Sequence, residues 1–221
     1  MPSLKAVIFD LDGTLVDSVR DLRDAVNNLM AEESLRQFEV DEVKSMIGDG
    51  AAKLVERAVL AAKGDLARLP ELVARFLKIY EANASRHTEA YPGVAETLTG
   101  LRSRGLSLAV VTNKPYAATI DILETLGLRG YFDAVIGGDT LPERKPHPAP
   151  IIAALKQLDV APEAALMIGD NYHDVQAAQA AGVRAFAVTY GYSHKPHAEL
   201  GAERLMDNMS ELLPLVANEA V

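Results

Sequence analysis

The chain contains no cysteine. Disulfides and thiol nucleophiles are therefore excluded, and a cytoplasmic setting is the matching expectation. Long apolar runs are also missing. None approaches the ~18 residues that span a bilayer, so no membrane partner is expected. The opening Met1-Pro2-Ser3-Leu4-Lys5 leads straight into a short apolar run and has no signal-peptide core. Basic charge is scarce, with 22 Lys and Arg against 31 Asp and Glu and a formal net charge of −9. Lysine and arginine contacts to phosphate supply most nucleic-acid affinity, so nucleic acid is not an expected partner. An anionic small ligand would have to find a local cation against this global field. There is no internal repeat and no low-complexity segment. With 221 residues, the chain has room for one domain, or for a core domain carrying a smaller insertion.

What is present begins with Val7-Ile8-Phe9-Asp10-Leu11-Asp12-Gly13-Thr14-Leu15. An apolar run without alternation is expected for a strand buried on both faces. It ends in two carboxylates, a glycine and a hydroxyl. Ligands of open α/β sheets sit beyond the carboxyl ends of the strands, where Asp10 and Asp12 fall. Residues two apart on an extended chain share a face, so both carboxylates can point into one cleft. Gly13 allows a close backbone turn whose N–H can donate to an anion. Two like charges at ~4 Å cost roughly 4 kcal/mol at an effective dielectric of ~20, which a shared proton or a cation must offset. Mg²⁺, with its preference for oxygen ligands, suits such a pair. The plainer alternative is an acidic turn after a strand.

Downstream, helical periodicity dominates from about residue 16 to 85, with no strand signal. Val19, Leu22, Val26, Leu29 and Met30 mark one helix, and Asp17 or Ser18 caps it. A short helix is expected over Val40 to Met46. Leu54, Val55, Ala58, Val59 and Ala62 mark another, and Leu69, Leu72, Val73, Phe76, Leu77 and Tyr80 a further one. A helical block of this size after a single strand is more than a crossover needs. From Tyr91-Pro92-Gly93 onward, strands and helices alternate. Strands are expected at 106–111, 134–136, 165–168 and 185–188. This pattern predicts a doubly wound parallel sheet.

Polar clusters follow the apolar strands or their loops: Asp10 and Asp12, Thr112 and Asn113, Lys145, and Asp170 with Asp174. Right-handed crossovers place the strand ends on one rim. Thr112 offers a hydroxyl donor and Asn113 an amide donor. Lys145 is the single cation such a site would want, a compact ammonium able to meet a phosphoryl oxygen. Asp170 is a hard ligand for Mg²⁺. Asp174, one helical turn on, can hold Lys145 or a metal-bound water.

Asp10-Leu11-Asp12-Gly13-Thr14, Thr112-Asn113, Lys145-Pro146 and Gly169-Asp170-Asn171-Tyr172-His173-Asp174 together resemble the four motifs of the haloacid dehalogenase superfamily, in order and along the whole chain. The resemblance implies an α/β Rossmann-like core over residues 1–15 and 86–221, with a small all-helical cap inserted at 16–85. It also implies Mg²⁺ held by Asp10, the Asp12 main-chain carbonyl and Asp170. Asp10 would be the nucleophile that forms an aspartyl-phosphate, and Asp12 the general acid and then base. Thr112, the Asn113 N–H and Lys145 would hold the phosphoryl oxygens. Superfamily dehalogenases lack the second carboxylate, so Asp12 favours phosphate-ester chemistry.

The segment from Ile47 to Ala58, Asp17-Ser18, and Val188-Thr189-Tyr190-Gly191-Tyr192 resemble phosphoglycolate phosphatases. A small phosphorylated metabolite is then the expected partner, with the protein a monomer or homodimer. Lys53 and Arg57 are candidates to meet its carboxylate. The chain departs from that group at Arg20, where proline is usual, which would either only alter the first cap helix or add a cation near the cleft mouth and loosen the substrate identity. Leu22, where mutases of the superfamily carry histidine, argues against a mutase. A phosphonate hydrolase would require Lys53 to be buried. Other phosphatases, of sugar phosphates, pyrophosphate or broad range, share the motifs. A phospho-receiver domain, a different class, shares the Asp/Thr/Lys rim at about half this length. His194 and His197 are expected at the surface, His147 in a structural role, and His173 near the site.

Overall fold

In the computed structural model, residues 3–217 are described, so Met1 and Pro2 of the opening segment lie outside them. The first strand, β1 (Ala6–Phe9), is buried at every position. A two-residue strand β2 (Val16–Asp17) follows, and then helices α1 (Val19–Glu32), α2 (Val40–Lys44), α3 (Ala51–Ala61) and α4 (Leu69–Glu81). The chain returns through β3 (Glu89–Ala90). It then alternates α5 (Val94–Ser103), β4 (Ser107–Val111), α6 (Tyr116–Thr125), β5 (Ala134–Ile136), α7 (Ala149–Leu158), β6 (Ala165–Gly169), α8 (Tyr172–Ala180) and β7 (Arg184–Val188). It closes with β8 (Arg204–Met206) and α9 (Leu212–Ala217).

The main sheet runs β5-β4-β1-β6-β7-β8 with every pair parallel. β1 is central, and the order reverses on either side of it. A crevice opens at such a switch point, beyond the strands' carboxyl ends. Asp10 follows β1, Thr112 follows β4 and Asp170 follows β6, so three strand ends deliver their first polar residue to one rim.

Alternation along β1 divides the core. Val7 and Phe9 belong to the apolar cluster that continues through α1–α4, while Ala6 and Ile8 belong to the cluster under α7 and α8. Helices α1, α3 and α4 pack on one another through Leu22, Val26, Leu54, Val59, Leu72 and Phe76, all buried. This is the amphipathic stripe that the sequence periodicity predicts.

Three short strands depart from expectation. β8, the sixth strand of the main sheet, has no period-two signal, because Arg204 and Leu205 are exposed on an edge and only Met206 is buried. The antiparallel pair β2–β3 joins Val16 to Ala90 and Asp17 to Glu89. It places a strand inside a region where none was expected, since two residues are too few to show a pattern. It ties together the places where the chain leaves for the helical block and returns from it.

Asp21 reinforces that tie. It is 4 % exposed and accepts bonds from the His87 N–H (2.9 Å), the Thr88 N–H (2.9 Å) and the Thr88 hydroxyl (2.7 Å). Asp21→Ala strands the two buried Thr88 donors and frees the His87 N–H, and is expected to cost about 3 kcal/mol. The check is a lowered urea midpoint at unchanged m-value. A midpoint equal to that of the parent would show that the clip does not hold the return segment.

Candidate active site

Lys145 organises the rim. Its ammonium, 2 % exposed, donates to Asp10 Oδ1 at 2.8 Å, to Asp174 Oδ1 at 2.6 Å and to the Val111 carbonyl at 2.6 Å. Its three N–H donors are thereby used. Burial pulls its pKa down, but Asp10 and Asp174 outweigh this and hold it above the ordinary lysine value. Burial pushes the Asp10 carboxyl up to about 6, with Lys145 opposing and Asp174 adding to the shift.

Asp170 stands beside this pair. It accepts from the Thr14 hydroxyl at 3.1 Å and from the Tyr192 N–H at 2.6 Å. Burial, then Asp174 and Asp10, raise it well above the usual carboxylate range. Carboxylate oxygens of Asp10, Asp170 and Asp174 all lie within 4.8 Å of one another. Three carboxylates, Asp170 and Asp174 buried and Asp10 half-buried, gathered around one ammonium leave an excess of negative charge, which is the environment a hard divalent cation fits. Asp174 also accepts from the Asn171 N–H at 3.1 Å, which closes a capping box at the start of α8. It is thereby committed to holding Lys145 and the loop.

Asp12 looks elsewhere. Ser18 Oγ donates to its Oδ1 at 2.5 Å, and the Lys114 ammonium lies 2.7 and 3.0 Å from its two oxygens. Lys114 is a second buried cation, with its side chain 2 % exposed and its Nζ 4.8 Å from the centre of the Tyr80 ring. The expectation of a single cation is therefore corrected. Lys114 escaped notice in the sequence because it sits beside the Thr112-Asn113 pair in a segment that also reads as a plain polar helix entry.

Other expected residues take positions the sequence did not disclose. The Gly13 N–H donates to the Val16 carbonyl at 2.9 Å and so is not offered to an anion. Gly13 serves by its shape: at φ +83°, a Cβ would fall 2.5 Å from Asp170 Oδ2. Thr112 borders the cavity, and its Oγ accepts from the Lys114 N–H at 3.2 Å. The Asn113 side chain donates to the Gly48 carbonyl (3.0 Å) and the Lys145 carbonyl (2.9 Å), and accepts from the Lys145 N–H (3.0 Å). Its amide group is a clamp between loops.

Lys53 and Arg57 are not brought to the cavity. Lys53 is over half exposed and pairs with Glu56 at 2.6 Å, because its place on α3 faces solvent. Arg57 donates to the Met46 carbonyl at 2.8 Å and to Asp49. Asp49 in turn meets His173 Nε2 at 2.5 Å, so it joins the loop before α3 to the first turn of α8. Burial lowers the His173 pKa, with Asp49 opposing. Arg20 is exposed and lies outside the cavity lining. His147 Nδ1 accepts from the Ala149 N–H at the start of α7, as a structural residue does. His194 is half-buried against the Gly48 loop and His173, because the 193–195 loop folds over that edge.

The cavity enclosed by these groups has two unlike walls. One carries Asp10, Asp12, Thr112, Lys114, Lys145 and Asp170. The other carries Leu22, Ile47, Leu54, Phe76 and Tyr80, with Gly50 and Ala51 at the start of α3.

A cluster of acids and lysines at the switch point of a doubly wound sheet defines an α/β enzyme of the Rossmann-like class. The chain belongs to the haloacid dehalogenase-like hydrolase family, whose model matches residues 7–188. It is 44% identical over 214 residues to phosphoglycolate phosphatase 1 of Pseudomonas aeruginosa, covering 95% of this chain and 79% of that one. It is 43% identical to a phosphoglycolate phosphatase of Cereibacter sphaeroides, covering 96% of this chain and 98% of that one. Among solved structures, a protein described as a predicted phosphoglycolate phosphatase from Haemophilus somnus superposes with a TM-score of 0.92 at 35% identity, covering 97% and 99% of the two chains. CbbY from Rhodobacter sphaeroides, solved in complex with phosphate, gives 0.82 at 27% identity, covering 95% and 96%.

The raised Asp10 pKa has a consequence for stability. Folded Asp10 keeps its proton up to about pH 6, whereas an unfolded aspartate loses it near 3.8. Protein freed of divalent cations is therefore expected to lose stability as pH rises from about 4 to 6. Asp10→Asn should raise its melting temperature by several degrees at pH 7 and by almost nothing at pH 4. Equal shifts at both pH values in a chelator-containing thermal scan would refute the burden assigned to ionised Asp10.

Proposed function

We propose that the protein is a Mg²⁺-dependent phosphomonoester hydrolase that converts 2-phosphoglycolate and water to glycolate and phosphate. The observation that carries this reading is Asp10, held by a buried lysine 2.8 Å away at the meeting point of two further carboxylates. The high identity to phosphoglycolate phosphatases over most of the chain supports the choice of ester.

Asp10 is the nucleophile. Lys145 keeps its carboxylate ionised and fixes its direction, so one oxygen faces the phosphorus. The phosphoryl oxygens are met by the Thr112 hydroxyl and the Asn113 main-chain N–H, while the Lys145 ammonium, its donors held by Asp10, Asp174 and the Val111 carbonyl, offsets their charge from behind Asp10. Asp12 protonates the leaving alkoxide, then takes a proton from the water that hydrolyses the aspartyl-phosphate. Ser18 and Lys114 hold Asp12 in a separate position from Asp10, so the two carboxylates keep separate tasks. Asp10, Asp170 and the Asp12 main-chain carbonyl would hold Mg²⁺, with Asp174 behind them. When bound, the ion supplies charge neutralisation at the phosphoryl group.

In this reading, residues 16–85 form a cap over a core of 1–15 and 86–221, with β2–β3 at the junction. The apolar wall from α1, α3 and α4 supports it, because it closes the cavity against water. The protein works in the cytoplasm as a monomer or homodimer.

Asp10→Asn is expected to abolish phosphate release from 2-phosphoglycolate while the circular dichroism spectrum stays unchanged; residual turnover above about 1 % of the parent would remove Asp10 as nucleophile. Asp170→Asn is expected to raise the Mg²⁺ concentration for half-maximal activity at least tenfold, and to suppress the thermal shift that Mg²⁺ gives the parent. An unchanged titration would take Asp170 out of the metal site.

A further inference from the structure

We propose that Lys114 binds the carboxylate of the departing glycolate and so sets the choice of substrate, a step that rests on the phosphoglycolate reading above. Two buried ammonium groups border the cavity. Lys145 has spent its three donors on Asp10, Asp174 and the Val111 carbonyl. The hydrogen bonds of the Lys114 ammonium all go to one carboxylate, that of Asp12. An ammonium has three N–H groups. Among the described residues, nothing accepts the third, and the Tyr80 ring lies alongside.

The chemistry of the substrate places its carboxylate there. Asp12 must touch the ester oxygen in order to protonate it. In 2-phosphoglycolate, a single CH₂ separates that oxygen from the carboxylate. A group bonded to both oxygens of Asp12 is thus within reach of the carboxylate whenever Asp12 is in position to act. The opposite wall offers no charge to compete, since Leu22, Leu54 and Phe76 face the cavity while Lys53 and Arg57 are paired elsewhere. A carboxylate entering against that wall without a partner would carry a heavy desolvation cost. With Lys114, it gains a charge-assisted bond. Lys114 also keeps hold of Asp12, so substrate carboxylate and acid are registered to one another through one ammonium.

The test compares 2-phosphoglycolate with ethyl phosphate, which has the same ester oxygen and CH₂ but no carboxylate. Both are assayed with Mg²⁺ on the parent protein, Lys114→Met and Lys114→Gln. The parent is expected to prefer 2-phosphoglycolate. Each variant should raise KM for 2-phosphoglycolate about 30-fold while moving KM for ethyl phosphate less than about threefold, the loss of one bond between charged groups. Glycolate should inhibit the parent competitively and the variants much less. If kcat falls equally on both esters and the KM ratio holds, Lys114 only positions Asp12, and the proposal is overturned while the substrate reading stands. If the parent itself does not favour 2-phosphoglycolate, the substrate reading fails and takes this assignment with it. If both variants are misfolded, inhibition of the parent by glycolate no stronger than by ethylene glycol still overturns it.

Discussion

A buried ammonium shared between two carboxylates is the contact on which the site depends. Lys145 links the end of β1, through Asp10, to the start of α8, through Asp174, and it also binds the last carbonyl of β4. Asp170 brings a third carboxylate into the same space. At ~4 Å and an effective dielectric of ~20, each unscreened pair of like charges costs roughly 4 kcal/mol. One lysine cannot offset three such groups, and Asp174 adds to the upward shifts that burial first gives Asp10 and Asp170. The fold tolerates it because the sheet, with its doubly buried strands, fixes the three strand ends regardless of their charge. Stability is supplied by the core, and the rim carries the strain that chemistry uses.

The second ammonium solves a different problem. Two carboxylates two residues apart on one strand end would behave as a coupled pair if they faced the same partners. Lys145 takes Asp10 and Lys114 takes Asp12, so each aspartate has its own cation. Ser18 and the Tyr192 hydroxyl extend this separation: Ser18 donates to Asp12, while Tyr192 donates to Asp17 at 2.5 Å and accepts from the Ser18 N–H at 2.9 Å. The Tyr192 N–H also bonds Asp170. One residue of a late loop therefore steadies both the start of α1 and the Asp170 carboxylate.

The layered α/β architecture and the meeting of Asp10, Thr112, Lys145, Asp170 and Asp174 were legible in the sequence, because strand ends in a parallel sheet face one way and residue order alone sets which groups arrive there. Direction on a helix was not legible in the same manner. Lys53 and Arg57 lie on a helix whose start borders the cavity, yet their side chains leave it for Glu56 and for Asp49 with the Met46 carbonyl. A charged residue near a glycine turn gives no sign of which neighbour will claim it. Lys114 failed to stand out for the converse reason, since only the tertiary contact with Asp12 and Tyr80 distinguishes it from a solvated lysine at a helix entry. β2, β3 and β8 are too short or too exposed for periodicity to show.

The loop before α3 shows how the two walls of the cavity are kept in register. Its Gly48 carbonyl accepts from Asn113, whose other bonds hold the main chain of Lys145. Its Asp49 meets His173, the residue before Asp174. Both contacts thus end on neighbours of the same lysine–carboxylate cluster, one on each flank. Gly48 suits this path, with φ +123° and a Cβ position 3.3 Å from both Asn171 and His194. Arg57 bonds Asp49 and so keeps that carboxylate ionised toward His173, which explains why a cation in this segment is turned away from the cavity. Its charge is used to dock the loop, and the apolar wall stays uncharged. An uncharged wall leaves the core side to supply the recognition of any anion that enters, and that constraint gives Lys114 its importance.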